Sequence, residues 1–73
     1  MTEITKEQLE ELEEVRSIGC LSDFNDLLEA YTGIKATPYT AYQYFDSDGN
    51  YVGDTDNYTV KEILKSAYIK VKR

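Results

Sequence analysis

Fourteen carboxylates, no histidine and a single cysteine set the chemistry open to this 73-residue chain. A carboxylate pair can work as general acid and base, or flank a glycosidic bond when its members lie about 5 to 9.5 Å apart. Clustered carboxylates can hold calcium, and rows of them repel nucleic acid and attract basic surfaces. Cys20 as a nucleophile would need an activating base, and the sequence holds no imidazole to serve as one. The same counts exclude an internal disulfide and a structural zinc site. Cys20 is therefore read as a buried or half-buried structural thiol.

Each of these chemistries meets a constraint. Asp46-Ser47-Asp48-Gly49-Asn50 begins like a calcium loop, but that loop needs Gly at its sixth position and Glu at its twelfth, where this chain has Tyr51 and Asn57. A hairpin turn accounts for the segment better. A chain this short has little room for a cleft that desolvates a substrate, so neither an enzyme nor a cofactor is expected. Tyr39, Tyr42, Tyr44, Phe45 and Tyr51 could stack single-stranded bases, but that requires a cationic groove. The only basic cluster is Lys61, Lys65, Lys70, Lys72 and Arg73, in a chain of net charge −6. Direct nucleic-acid binding is not expected, and the tyrosines are read as sheet core or protein interface.

The charge is segregated. The first 29 residues hold nine carboxylates against Lys6 and Arg16, a local charge of −7, whereas the last 15 are basic. Two amphipathic segments must position the acids. Thr5 with Gln8 has capping-box spacing and Ile4 can staple onto Leu9, which starts a helix at about Lys6. At about 100° per residue from Leu9, Leu12 and Arg16 fall within about 60° of it, while Glu7, Glu10, Glu11 and Glu14 fall at about 100–200°. Gly19 is the natural stop. Ser22 is expected to cap a second helix with Phe24, Leu27, Leu28 and Tyr31 inward, Asp23, Asp26 and Glu29 outward, and Gly33 as its left-handed exit.

After Pro38 the residues favour strands. Tyr39 to Phe45 and Tyr51-Val52 are read as a hairpin around the 46–50 turn, followed by the polar link Asp54 to Asn57. Thr59 with Glu62 repeats the capping box, and Tyr58 with Ile63 the staple, so a third helix begins at about Val60 and buries Val60, Ile63, Leu64 and Ala67. Residues 68–73 fit more helix or a last strand beside the hairpin equally well. The fold class is thus α+β: two N-terminal helices, a Tyr-rich antiparallel hairpin and a C-terminal helix, in one domain spanning residues 1–73. A core this small is marginal, which makes a homodimer a reasonable expectation. The acidic start has no signal-peptide character and no apolar run approaches membrane-spanning length, so the cytoplasm is the expected location.

Two resemblances follow. Tyr44 to Asn50 with Gly53 resembles one hairpin of choline- or glucan-binding cell-wall repeats, over ten residues, once and without their Trp; the likeness is one of turn chemistry. The whole chain is similar in size, acidity, tyrosine content and lack of catalytic groups to small bacteriophage host-takeover proteins that act as DNA mimics. Like-charge pairs Glu7/Glu11 and Glu10/Glu14 cost a helix about 0.2–0.5 kcal/mol each. Carboxylates on adjacent turns lie about 5–6 Å apart at Cβ, comparable with phosphates on a strand that rises about 3.4 Å per nucleotide. The resemblance implies a phage-encoded inhibitor that blocks the DNA channel or groove of a bacterial protein, with the sliding clamp or the histone-like HU proteins favoured. Glu7, Glu10, Glu11, Glu14, Asp23, Asp26 and Glu29 would supply the phosphate-like charges, Asp46, Asp48, Asp54 and Asp56 a second patch, and Tyr42, Tyr44 and Tyr51 the anchors. The alternative is an interaction module that binds through the Tyr-rich hairpin, its acids serving solubility; a glycan or choline binder is a third class. The basic end could also pair with the acidic face of a second copy.

Overall fold

The computed structural model describes residues 3–37 and 42–72. Chain order is β1 (Glu3–Thr5), α1 (Lys6–Ile18), α2 (Leu21–Thr32), β2 (Lys35–Ala36), β3 (Gln43–Phe45), β4 (Tyr51–Asp54), α3 (Val60–Ser66) and β5 (Lys70–Lys72). This is the expected α+β class, with the two N-terminal helices, the hairpin and the C-terminal helix in place. Among the described residues, no helix is long and apolar enough to cross a membrane.

Both capping boxes form. The Gln8 amide donates to Thr5 Oγ1 at 3.1 Å while Thr5 N–H donates to Gln8 Oε1 at 2.8 Å. Thr59 and Glu62 make the same exchange at 3.2 and 3.0 Å. Four donors that a helix start would leave open are thereby satisfied locally. Gly19 ends α1, but in extended backbone (φ −98°) and not in the left-handed conformation. The cap of α2 differs from expectation: Cys20 holds that position with no side-chain hydrogen bond, and Ser22 already lies inside the helix. Phe24 N–H bonds Cys20 C=O at 3.1 Å, so the first helical hydrogen bond already closes on Cys20 and Ser22 falls within the first turn. Cys20 itself is exposed, correcting the expectation of a buried or half-buried thiol; it sits in the interhelix link, before the first core position of α2, Phe24. Gly33 closes α2 at φ +79°, its N–H bonded to Glu29 C=O at 2.9 Å.

Strands β2, β3 and β4 form an antiparallel sheet in that order, with a register shift between Tyr44 and Phe45. Gly53, opposite Tyr44, has φ +150°, and a Cβ there would lie 2.9 Å from the Tyr58 ring and 3.0 Å from Ile63. Only glycine lets α3 and its leading residue pack this close to β4.

The end of the chain is a strand, but not beside the hairpin. β5 runs parallel to β1, pairing Ile4 with Val71. Its direction is set at the end of α3, where Tyr68 N–H bonds Lys65 C=O at 3.1 Å and Ile69 N–H bonds Leu64 C=O at 2.9 Å. This is a Schellman turn with Tyr68 at the left-handed position (φ +58°). It sends Ile69 inward and delivers the chain to β1. The core joins all layers: Ile4 from β1, Leu12 from α1, Phe24 and Leu28 from α2, Tyr44 and Val52 from the sheet, and Ile63 and Leu64 from α3.

Candidate functional site

Helices α1 and α2 bury Leu9, Leu12, Phe24 and Leu28 and turn their acids outward: Glu7, Glu10, Glu11, Glu14, Asp23, Asp26 and Glu29 are all exposed. Tyr31, on the apolar stripe of α2 and packed against the core, reaches across the helix seam and donates its hydroxyl hydrogen bond to Glu11 Oε1 at the edge of the acidic side of α1. That bond is the main reason the Tyr31 phenol titrates above its ordinary value. Arg16 points the opposite way. Its guanidinium lies 5.6 Å from the centre of the Phe24 ring, and it donates to the Thr55 carbonyl. The cation in the last turn of α1 is thus spent on the core and the second loop.

The loop acids divide into two kinds. Asp46 Oδ1 accepts from the N–H of Asp48 and of Asn50, both at 2.9 Å, and Asp54 Oδ1 accepts from the N–H of Asp56 and Asn57 at 3.0 and 2.7 Å. These backbone donors hold both carboxyls below the usual carboxylate range, Asn50 acting most on Asp46 and Asn57 most on Asp54. Asp46 and Asp54 therefore build their loops, while Asp48 and Asp56 are exposed on them. The two loops stand at opposite ends of β4, about 10 Å apart along a strand rising about 3.3 Å per residue. Among the described residues, no group of three or more Asp, Glu or Cys is arranged to hold a metal.

The tyrosines are where the sequence reading needs correction. Tyr44, expected as a surface anchor, is fully buried: its ring meets Phe24 edge-on at 6.1 Å and its hydroxyl donates to Asn25 Oδ1 at 2.6 Å. Alternation places it on the inner face of β3, beneath α2. It cannot touch a partner. Tyr42 and Tyr51 are about half exposed, at 56% and 48%. Tyr51 packs edge-on with Phe45 and Tyr58 and donates to Asp54 Oδ2 at 2.9 Å, so it is a braced aromatic surface. Tyr39 lies outside the described residues.

Two strongly exposed side chains, Tyr68 and Ile18, lie outside the candidates drawn from the sequence. Tyr68, 79% exposed, borders a groove of about 480 Å³ whose other wall is the Asp46–Asn50 turn. Nothing local in the sequence marks it, since a tyrosine is an unusual occupant of a left-handed position. Ile18, 77% exposed, was readable: at about 100° per residue it falls about 180° from Leu9, amid Glu7, Glu11 and Glu14. Set against protein-family models, curated proteins and solved structures, the chain matches none.

Proposed function

We propose that this protein is a DNA mimic, a phage-encoded inhibitor acting in the bacterial cytoplasm that occupies the DNA-binding channel or groove of a DNA-transaction protein, with the sliding clamp and HU-type nucleoid proteins favoured. The observation that carries this reading is the division of charge on α1 and α2. Seven carboxylates face outward from the two helices, while Arg16 is drawn inward onto Phe24 and Thr55. A helix selected only for stability would intersperse cations on such a face. Affinity would come from electrostatic steering, with exposed aromatic rings as anchors.

The test is capture of partners by the tagged protein from nuclease-treated bacterial lysate, followed by elution with duplex DNA. Release of a DNA-binding protein supports mimicry and identifies the target; retention of every partner against DNA overturns it. A second reading has its own observation. The braced cluster Phe45–Tyr51–Tyr58, with half-exposed Tyr42 nearby in sequence, suits a protein-interaction module in which the acids serve solubility. Under that reading Tyr42→Ala and Tyr51→Ala abolish partner capture, and reversing the helix charges does not.

A further inference from the structure

Beside the start of α1, turned away from its acidic direction, lies a groove of about 590 Å³ lined by Lys6, Leu9, Lys61, Val71 and Lys72. Leu9 and Val71, buried and half-buried, form an apolar floor, and the three lysines are exposed around it. The groove gathers one base from each of α1, α3 and β5 in a chain of net charge −6. It is complementary to an apolar side chain flanked by carboxylates. The chain carries that element itself: Ile18, 77% exposed, stands one helical turn beyond Glu14 and two beyond Glu11 on the same side of α1.

We propose that this groove receives α1 of a second copy, with Ile18 on Leu9 and Val71 and with Glu14 and Glu11 facing the lysines. On the helical wheel Lys6 and Leu9 lie at about 0–60°, and Glu11, Glu14 and Ile18 at about 140–200°. The two halves of the contact therefore point in different directions from one helix. A copy that fills its neighbour's groove leaves its own groove open to a third, so the contact is heterologous and grows head to tail. Salt weakens it by screening the lysine–carboxylate attraction. The proposal needs no DNA-binding target, since every component is this chain, but it shares Glu11 and Glu14 with DNA mimicry, so a copy seated on α1 competes there with any such target.

The experiment is sedimentation velocity on the purified full chain, from micromolar to near-millimolar concentration, at low and high salt. Two variants each keep one half: Ile18→Asp retains the groove, and Lys61→Glu with Lys72→Glu retains the acidic face. All three positions are exposed, and circular dichroism and melting temperature verify that both variants fold. The expected result is a weight-average mass that climbs with wild-type concentration at low salt and returns to the monomer at high salt. Each variant alone stays monomeric, and an equimolar mixture forms a two-chain complex that grows no further. A wild-type chain that is monomeric throughout, or that stops at a discrete dimer, overturns the proposal. So does a variant that assembles like wild type, or a mixture that fails to pair. An acidic peptide or an anionic vesicle bound at the groove of a chain that stays monomeric would assign it to a different occupant and likewise overturn it.

Discussion

The Tyr31 hydroxyl, at the edge of the apolar stripe of α2, donates a hydrogen bond to the Glu11 carboxylate on α1 and so joins the two helices at their seam. Glu11 is thus part of the helix seam as well as of the charged surface, and reversing it would disturb both. Glu10 and Glu14, exposed on the same helix, are the cleaner probes. Glu10→Lys with Glu14→Lys should weaken binding to a captured target at least tenfold at low salt, an effect of about 1.4 kcal/mol or more. The circular dichroism spectrum should stay unchanged. Unaltered affinity in a folded variant removes α1 from the interface.

Tyr44 acts on stability and not on recognition. Removing its hydroxyl in Tyr44→Phe should cost about 0.5–1.5 kcal/mol through the lost bond to Asn25. Tyr44→Ala should cost about 3–5 kcal/mol, because it empties a site beside Phe24 in a small core. Urea unfolding of both variants checks the ranking. Loss of partner capture in Tyr44→Ala would reflect unfolding, which Tyr44→Phe distinguishes by keeping both fold and capture.

Stability should fall at both ends of the pH scale, for different residues. Burial pushes the Tyr44 phenol up to about 12 from its ordinary 10.0, with the Arg16 charge pulling the other way. Tyr31 and Tyr51 are raised chiefly by the hydrogen bonds they donate to Glu11 and Asp54. A folded value above the unfolded one stabilises fully below about pH 10, and that stabilisation is lost as pH rises through the folded value. Asp46 and Asp54 are lowered by their loop amides, so their contribution is present above the ordinary 3.8 and is lost as pH falls through their folded values. The urea midpoint plotted against pH should show both limbs. Asp46→Asn should make the acid limb shallower, leaving the part due to Asp54, and Tyr44→Phe should make the alkaline limb shallower, leaving the part due to Tyr31 and Tyr51.

Gly53→Ala tests the contact between β4 and α3. The added methyl would lie within 3.0 Å of the Tyr58 ring and of Ile63 in a backbone conformation that L residues rarely adopt. A loss of about 1–3 kcal/mol is expected in chemical unfolding. A neutral result would mean that Tyr58 moves aside freely, and would remove the stated reason for glycine here.

Tyr68→Gly should do the reverse. A left-handed non-glycine residue costs about 1–2 kcal/mol, and the Tyr68 ring is 79% exposed, so it recovers little of this within the fold. The variant should therefore melt higher, by about 1 kcal/mol of stability. If partner capture falls while stability rises, Tyr68 contributes to recognition; if both are kept, the ring is dispensable.

What could be read from the sequence was whatever closes within a few residues. The boxes at Thr5/Gln8 and Thr59/Glu62, the stripe Phe24–Leu28 and the exit at Gly33 each depend on neighbours three or four positions away, and all formed. Arg16 lies beside the apolar stripe, over Phe24, as the helical wheel requires. Contacts across the chain were not legible. The alternation of residues 68–72 fits a strand but is too short to name its partner, and the three residues of β1 announce no strand; the pair exists because Ile4 and Val71 meet. Tyr44 was misplaced for a related reason: alternation separates the two faces of β3, but only α2 packing above it decides which face is inner. Ser22 has a capping residue's chemistry, yet the helix starts at Leu21, capped by the Cys20 backbone and not by a side chain.

The pairing of β1 with β5 also governs when this fold can be reached during synthesis. Glu3–Thr5 is made 67 residues before its partner Lys70–Lys72. Until then Ile4, a core residue, lacks the strand that covers it. A nascent chain can form its capped helices on the way out, since their signals are local. The closed architecture has to wait for β5, so an arrest anywhere short of it leaves an open apolar edge in reach of chaperones and proteases.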